Sequence, residues 1–360
     1  MAQIDQFLKV MVEQGGSDLH LTTGSVPVMR IHGHMQRIKF RELTGKDTEA
    51  LLFGIMKEDW RMRFLEHQEF DFAYEIPGVS RFRVNVFLQR KGMAGVLRTI
   101  PTNILTADDL GLPDVVRKLC MLTKGLVLVT GPTGSGKSTT LAAMVDLINE
   151  TRADHILTIE DPIEFTHENK KCLVNQREVG SSTRSFANAL RAALREDPDV
   201  ILVGEMRDRE TIELGITAAE TGHLVFGTLH TSSAPKTVDR IIDVFPADQQ
   251  EQIRAMLAES LKGVISQVLL KKKGGGGRVA AWEIMIGTNA ISNLIRENKV
   301  FQIPSMIQTG KKDGMQMMDQ AILEHLMAGV IDGNEAYMKA SNKQAFAQYL
   351  TDDTPEEEFV

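Results

Sequence analysis

Apolar positions over residues 1–99 follow two rhythms. Ile4, Phe7, Leu8 and Met11 recur at helical spacing and stop at Gly15-Gly16, which predicts an N-terminal helix. Short alternating stretches follow: Leu19-His20-Leu21, Val28-Met29-Arg30-Ile31, Phe70-Asp71-Phe72-Ala73-Tyr74 and Arg81-Phe82-Arg83-Val84-Asn85-Val86-Phe87-Leu88. They predict a small antiparallel sheet, with one helix over 47–66 set between its strands. From residue 114 the texture changes. Apolar runs at 126–130, 155–160, 200–203 and 223–228 alternate with helical patterns near 137–150, 183–196, 208–221, 235–243 and 247–261. That order predicts a mainly parallel sheet covered on both faces. Strands at 264–270 and 279–286 read as a hairpin, and helices at 288–297, 300–308 and 316–328 follow.

The chain therefore divides into a small α+β domain (1–99), a linker (100–113), an α/β domain with C-terminal helices (114–345) and an acidic, disordered tail (346–360). The linker rests on the prolines and turn formers between Pro101 and Pro113. The basic, glycine-rich stretch Lys271-Lys272-Lys273-Gly274-Gly275-Gly276-Gly277-Arg278 reads as a solvated hairpin tip.

Composition narrows the classes. With 42% hydrophobic and 25% charged residues, the 360-residue chain has an ordinary globular balance. A net charge of −7, with 6% aromatics and no aromatic–basic stripe, argues against a nucleic-acid translocase. Cys120 and Cys172 belong to no C-x-x-C pair, so neither a zinc ribbon nor a disulfide framework is expected. No apolar run approaches the ~18 residues of a membrane span, and Met1-Ala2-Gln3-Ile4-Asp5 lacks the form of a signal peptide. The expectation is a cytoplasmic protein whose membrane contact is made through a partner.

Candidate chemistry centres on Gly131-Pro132-Thr133-Gly134-Ser135-Gly136-Lys137-Ser138-Thr139, which fits G-x-x-x-x-G-K-[ST] between a predicted strand and a predicted helix. Glycines let backbone N–H groups turn inward onto phosphate oxygens, and the helix N-terminus adds its dipole. Lys137 would reach the β- and γ-phosphates of ATP, and the Ser138 hydroxyl would ligate Mg²⁺. Acidic residues close two neighbouring strands: Glu160, Asp161 and Glu164 after one, and Glu205 after Val200-Ile201-Leu202-Val203-Gly204. Glu205 stands where an acid would hold a Mg²⁺-bound water. Glu160, Asp161 and Glu164 are all candidates to orient the attacking water, and spacing does not choose among them. His230 opens the phosphate end of its strand and His223 the opposite end. Arg195, Arg207 and Arg209 have no clear reach to the loop. Arg81 and Arg83, on one face of a strand, with Arg98 one strand later, are better placed to supply guanidinium charge from the first domain.

These motifs together resemble the secretion-superfamily ATPases of type IV pilus and type II secretion machines. The resemblance covers the chain to about residue 345. It is carried by Gly131 to Thr139, by Leu157-Thr158-Ile159-Glu160-Asp161-Pro162-Ile163-Glu164-Phe165, by Leu202-Val203-Gly204-Glu205-Met206-Arg207-Asp208, and by Thr221-Gly222-His223-Leu224-Val225-Phe226-Gly227-Thr228-Leu229-His230-Thr231. It implies a PAS-like N-terminal domain, a RecA-like ATPase core and a homohexameric ring, with Arg81, Arg83 and Arg98 reaching the phosphates. It further implies Glu164 as the water-polarising residue and Glu205 as the Mg²⁺-side acid. Assembly and secretion members often carry a four-cysteine zinc module and a longer N-terminal region, which this chain lacks. Ala290-Ile291-Ser292-Asn293-Leu294-Ile295-Arg296-Glu297 resembles the signature helix of the pilus-retraction branch, departing at Ser292 where that branch usually has Arg. The implied function is pilus retraction and twitching motility, driven at the inner face of the inner membrane against a membrane platform protein, with a paralogous motor as a further partner. The rivals are an accessory retraction motor, an assembly or type II secretion motor, a nucleic-acid translocase, and an adaptor that binds ATP without hydrolysing it.

Overall fold

The computed structural model describes residues 2–31, 33–100 and 104–350. The chain forms two compact units, Met1–Asn103 and Ile104–Val360.

The first unit is a six-stranded antiparallel sheet with helices packed on it. In chain order its elements are α1 (Asp5–Glu13), β1 (Gly16–Thr22), β2 (Val28–Ile31), β3 (His34–Arg37), α2 (Gly45–Phe53), α3 (Glu58–His67), β4 (Glu69–Ile76), β5 (Ser80–Gln89) and β6 (Gly92–Ile100). The strand order is β3-β2-β1-β6-β5-β4. Alternation works as predicted on β5: Phe82, Val84 and Val86 are fully buried, and Arg83 faces out. The single helix expected over 47–66 is two. Leu51, Leu52, Ile55 and Met56 keep helical spacing, but Lys57 is extended (φ −65°, ψ 159°) and restarts the chain as α3. β3 was not anticipated, because all four of its residues are exposed and carry no apolar alternation.

The second unit carries the remaining elements: α4 (Asp114–Cys120), β7 (Gly125–Thr130), α5 (Lys137–Thr151), β8 (His155–Glu160), β9 (Leu173–Glu178), α6 (Phe186–Ala193), β10 (Val200–Val203), α7 (Arg209–Glu220), β11 (Leu224–Leu229), α8 (Ala234–Asp243), α9 (Gln250–Ser260), β12 (Leu261–Lys271), β13 (Arg278–Ile286), α10 (Asn289–Arg296), α11 (Ile303–Thr309), α12 (Met318–Met327), α13 (Gly333–Lys339) and α14 (Lys343–Phe346). Its seven strands run β13-β12-β7-β11-β10-β8-β9, all pairs parallel except β12–β13. Period 2 sends alternate residues of one strand to opposite faces. Leu126 and Leu128 join the core beneath α6 to α11, and Val127 and Val129 join the core beneath α4 and α5. Both faces are dry, which is why these strands read as continuous apolar runs. Ser185, Asp208, Ser233 and Thr288 each accept a backbone N–H three residues on and start α6, α7, α8 and α10; such caps contribute about 1 kcal/mol apiece.

Two expectations at the edges of this unit change. Residues 104–113 are not a free linker: Ala107 and Leu112 are buried against α4 and β7. The expected tail from 346 begins too early, since Phe346 is buried with Ala336 and Ala340 and its ring meets Tyr349 at 6.3 Å; residues 351–360 lie outside the described residues. Among the described residues no helix is long and apolar enough to cross a membrane.

Candidate functional site

The strand ends meet around one cavity of about 430 Å³, lined wholly by the second unit. β7 delivers the chain into the glycine loop, and α5 leaves it at Lys137. Gly131, Gly134 and Gly136 take φ of 144°, 78° and 86°, values open to glycine and strained for other residues. At Gly131 space is a second constraint, because a Cβ there would sit 2.3 Å from the Gln267 carbonyl oxygen. Thr133, Gly134, Gly136, Lys137, Ser138 and Thr139 line the cavity; Gly131, Pro132 and Ser135 form the rest of the loop. The Lys137 ammonium donates to the carbonyls of Gly131 (2.9 Å) and Pro132 (3.2 Å). Burial lowers its pKa, and the charges of Glu205 and Glu164 offset part of that.

Opposite the loop, the expected acids converge but are not equivalent. Glu160 accepts from the Thr158 hydroxyl at 2.6 Å and from the Gln176 amide at 3.2 Å. Burial pushes its carboxyl above the usual range, against those hydrogen bonds and one from the Glu164 backbone. It is a braced group inside the acidic loop. Asp161 and Glu164 are exposed at the cavity wall, and the Glu164 carboxylate has no hydrogen bond or ion pair among the described residues. Glu205 follows β10 through Gly204, where a Cβ would stand 3.1 Å from the Ile159 carbonyl. His230, from the end of β11, meets Glu205 Oε1 through Nε2 at 2.9 Å, and Arg207 forms a close ion pair with the same oxygen. Burial raises the Glu205 pKa, but Arg207 first and then His230 outweigh it, so the carboxyl stays below its ordinary range.

His223 does not line this cavity. His223 lies at the other end of β11, where Nδ1 pairs with the Ala218 carbonyl at 2.9 Å. Six strand residues separate the two histidines, roughly 20 Å at the usual rise, so His223 stands apart from the cavity that His230 lines. Arg81, Arg83 and Arg98 belong to the first unit, where Arg83 and Arg98 are register partners. Arg98 Nε is bound to Asp18 at 2.8 Å, and Arg83 Nε lies 3.9 Å from Asp71.

Other residues were missed. Arg207, whose reach the sequence leaves unclear, holds Glu205. Arg278, read as part of a solvated tip, lines the cavity together with Leu269; the β12–β13 register pairs it with Lys271, where β12 runs on past the end of its pairing with β7 at Ser266 and Thr130. Gln176 comes from β9, an unpredicted edge strand, and ties the acidic loop by donating to the Phe165 carbonyl at 2.8 Å and accepting from the His167 backbone N–H at 2.8 Å. His167 itself lines the cavity with a buried Nδ1 that has no hydrogen-bond partner in the structure.

Burial drops the His167 pKa from 6.5 to about 4. Its folded value lies below its unfolded value, so the unfolded chain binds the extra proton between those limits. Stability is therefore lost as pH falls through that window. His167→Phe is expected to flatten the fall by up to about 3 kcal/mol relative to the unmodified chain. Denaturant melts across the window check it, and parallel curves for the two proteins would refute it.

The family model for type II/IV secretion system proteins matches residues 1–351. A Pseudomonas aeruginosa protein described as the type IV pilus retraction ATPase PilT is 57% identical over 95% of this chain and 99% of its own length. A Neisseria gonorrhoeae twitching motility protein is 55% identical over 89% of this chain and 86% of its own. A crystal structure of the pilus retraction motor PilT with bound ADP superposes with a TM-score of 0.90 at 50% identity, covering 97% of this chain and 99% of that one. The α/β class, with a RecA-like core and a smaller N-terminal α+β domain, stands with these matches. The chain belongs to the family of type II/IV secretion system proteins.

Proposed function

We propose that the chain is a Mg²⁺-dependent ATPase that works as a homohexameric motor and powers type IV pilus retraction from the inner face of the inner membrane. The observation that carries this reading is that residues of the Gly131–Thr139 loop, Glu164, Glu205 and His230 line one and the same cavity. Relatives named for pilus retraction and twitching, at 57% and 55% identity, supply the direction of work. A paralogous partner motor is supported by 40% identity to a Pseudomonas aeruginosa type IV pilus ATPase named PilU, and an inner-membrane platform protein is proposed as the fixed point.

In this reading the loop's N–H groups and Lys137 bind the phosphates, and Glu164 orients water in line with the γ-phosphate. His230, held by Glu205, bonds a γ-phosphate oxygen and reports its presence. Arg81, Arg83 and Arg98 are proposed to complete the site from the first unit, so that occupancy is read out as motion. The donor set suits a hard cation: the Ser138 hydroxyl and Glu205 carboxylate line one cavity. Among the described residues no cluster of three His, Cys, Asp or Glu would hold a metal by itself. Ser138 would ligate Mg²⁺ directly and Glu205 through water, and the ion would supply charge neutralisation at the phosphates.

The test is genetic and biochemical together. Deleting the gene is expected to leave cells with surplus surface pili. A chromosomal Arg83→Ala copy is expected to do the same, with turnover of the purified variant down about 10²-fold or more, the usual cost of a lost transition-state charge. Fewer pili on deletion would make the protein an assembly motor. Unchanged turnover in the Arg83 variant would remove the first unit from the chemistry.

A further inference from the structure

Behind the phosphate loop, β12 places the Gln267 side chain, 2% exposed. Its amide is bonded at both ends. Nε2 donates to the Ser135 carbonyl at 2.7 Å. Oε1 accepts from the Thr140 hydroxyl at 2.7 Å and from the Trp282 indole N–H at 3.1 Å. This fixes which end is which, because a flipped amide would set its NH₂ against an indole N–H that can only donate. The neighbouring residue strengthens the seam: Ser266 Oγ and Thr130 Oγ1 are 2.8 Å apart. β12 thus grips the end of β7 and the loop that follows it, and the grip reaches one peptide in particular.

A trans peptide is planar, with its C=O and N–H pointing in opposite directions. The Ser135 carbonyl is held toward Gln267, so the N–H of Gly136 in the same peptide is held away from Gln267. Gly136 lines the cavity. Glycine at 136 (φ 86°) leaves one of the two torsions flanking this plane free to turn at little cost, and the bond from Gln267 opposes that turn. We propose that Gln267 is a positioning residue for phosphate binding: it locks the Ser135–Gly136 peptide with the Gly136 N–H turned toward the nucleotide phosphates. The same N–H serves substrate and product alike, so its loss removes uniform binding and leaves the chemical step alone. The proposal rests on the nucleotide reading of the loop given above.

The experiment measures ADP binding by calorimetry and ATP turnover in the full-length protein. Gln267→Leu deletes the amide altogether, its donor to the Ser135 carbonyl included. Gln267→Met keeps the bulk and deletes the donor without burying a charge. Each is expected to raise the ADP Kd and the ATP KM about ten-fold, the scale of one buried donor lost, with kcat little changed. Ile284→Ala, a cavity in the same sheet within the core beneath α4 and α5, is expected to lower the melting temperature without moving the ADP Kd. Unmodified protein is expected to show slower hydrogen exchange at Gly136 N–H when ADP is added. An unchanged ADP Kd in a folded Gln267 variant overturns the proposal, as does a fall in kcat with KM unmoved, or an equal loss of ADP affinity in the Ile284 variant. Unchanged Gly136 exchange overturns it even if neither Gln267 variant folds. Unmodified protein that binds no ADP would instead overturn the nucleotide reading itself.

Discussion

Glu164→Gln is expected to lower ATP turnover by about 10²–10³-fold, within the range for removing a positioned general base or water-orienting carboxylate, while ADP still binds. The reason is the unequal standing of the acids around the cavity. Glu160 accepts from Thr158 and Gln176 and is pushed by burial toward its neutral form; turning it onto a water would break both bonds. Glu205 is engaged by Arg207 and His230. Glu164 is exposed at the same wall, without a hydrogen bond or ion pair among the described residues, and near enough for its charge to raise the pKa of Lys137. It can take up a water without losing a bond. Single-turnover and steady-state assays on Glu164→Gln and Glu160→Gln separate the roles. Near-normal turnover in the Glu164 variant, with collapse in the Glu160 variant, would reverse the assignment.

The difference between these carboxylates also marks how far the sequence could be read. The glycine loop is legible because its demands are local: left-handed φ at fixed offsets, then a helix start. The buried strands are legible because both faces are dry and every position is apolar. The acids at the ends of β8 and β10 follow once the strands are placed. What sequence reading could not see is pairing across the sheet. β9 is an edge strand whose residues are mostly exposed or half-buried, so Gln176 carried no strand signal, although it ties Glu160, Phe165 and His167 together. Arg278 reaches the cavity only through the register of the β12–β13 hairpin, which a run of lysines and glycines does not disclose. Ser266 and Gln267 are two polar residues in the otherwise apolar run 264–270, and the partners of Gln267 lie 15, 127 and 132 residues away. His223 stands apart from this cavity for a simpler reason. A motif groups residues along a strand, but the strand's length holds its two ends apart.

Lys137→Ala is expected to abolish detectable ATP turnover and to weaken ADP binding by about 10²-fold, the scale of one or two charge-assisted hydrogen bonds. In the structure the ammonium curls back onto the carbonyls of Gly131 and Pro132. The loop therefore meets its own lysine with acceptors that a phosphate would replace, and the charge is already at the site when nucleotide arrives. Burial makes that charge costly to keep, and a phosphate oxyanion relieves the cost in a way that no neutral ligand does. The distinctive outcome belongs to Lys137→Arg, which preserves charge. A guanidinium is planar and broad where the loop encloses a compact point donor, so the arginine variant is expected to remain as inactive as alanine. If arginine restores turnover, charge alone suffices and the closed geometry of the loop contributes little. If alanine retains ADP affinity, the backbone N–H groups carry phosphate binding without the lysine, and the weight of the site shifts to the peptide planes that Gln267 is proposed to hold.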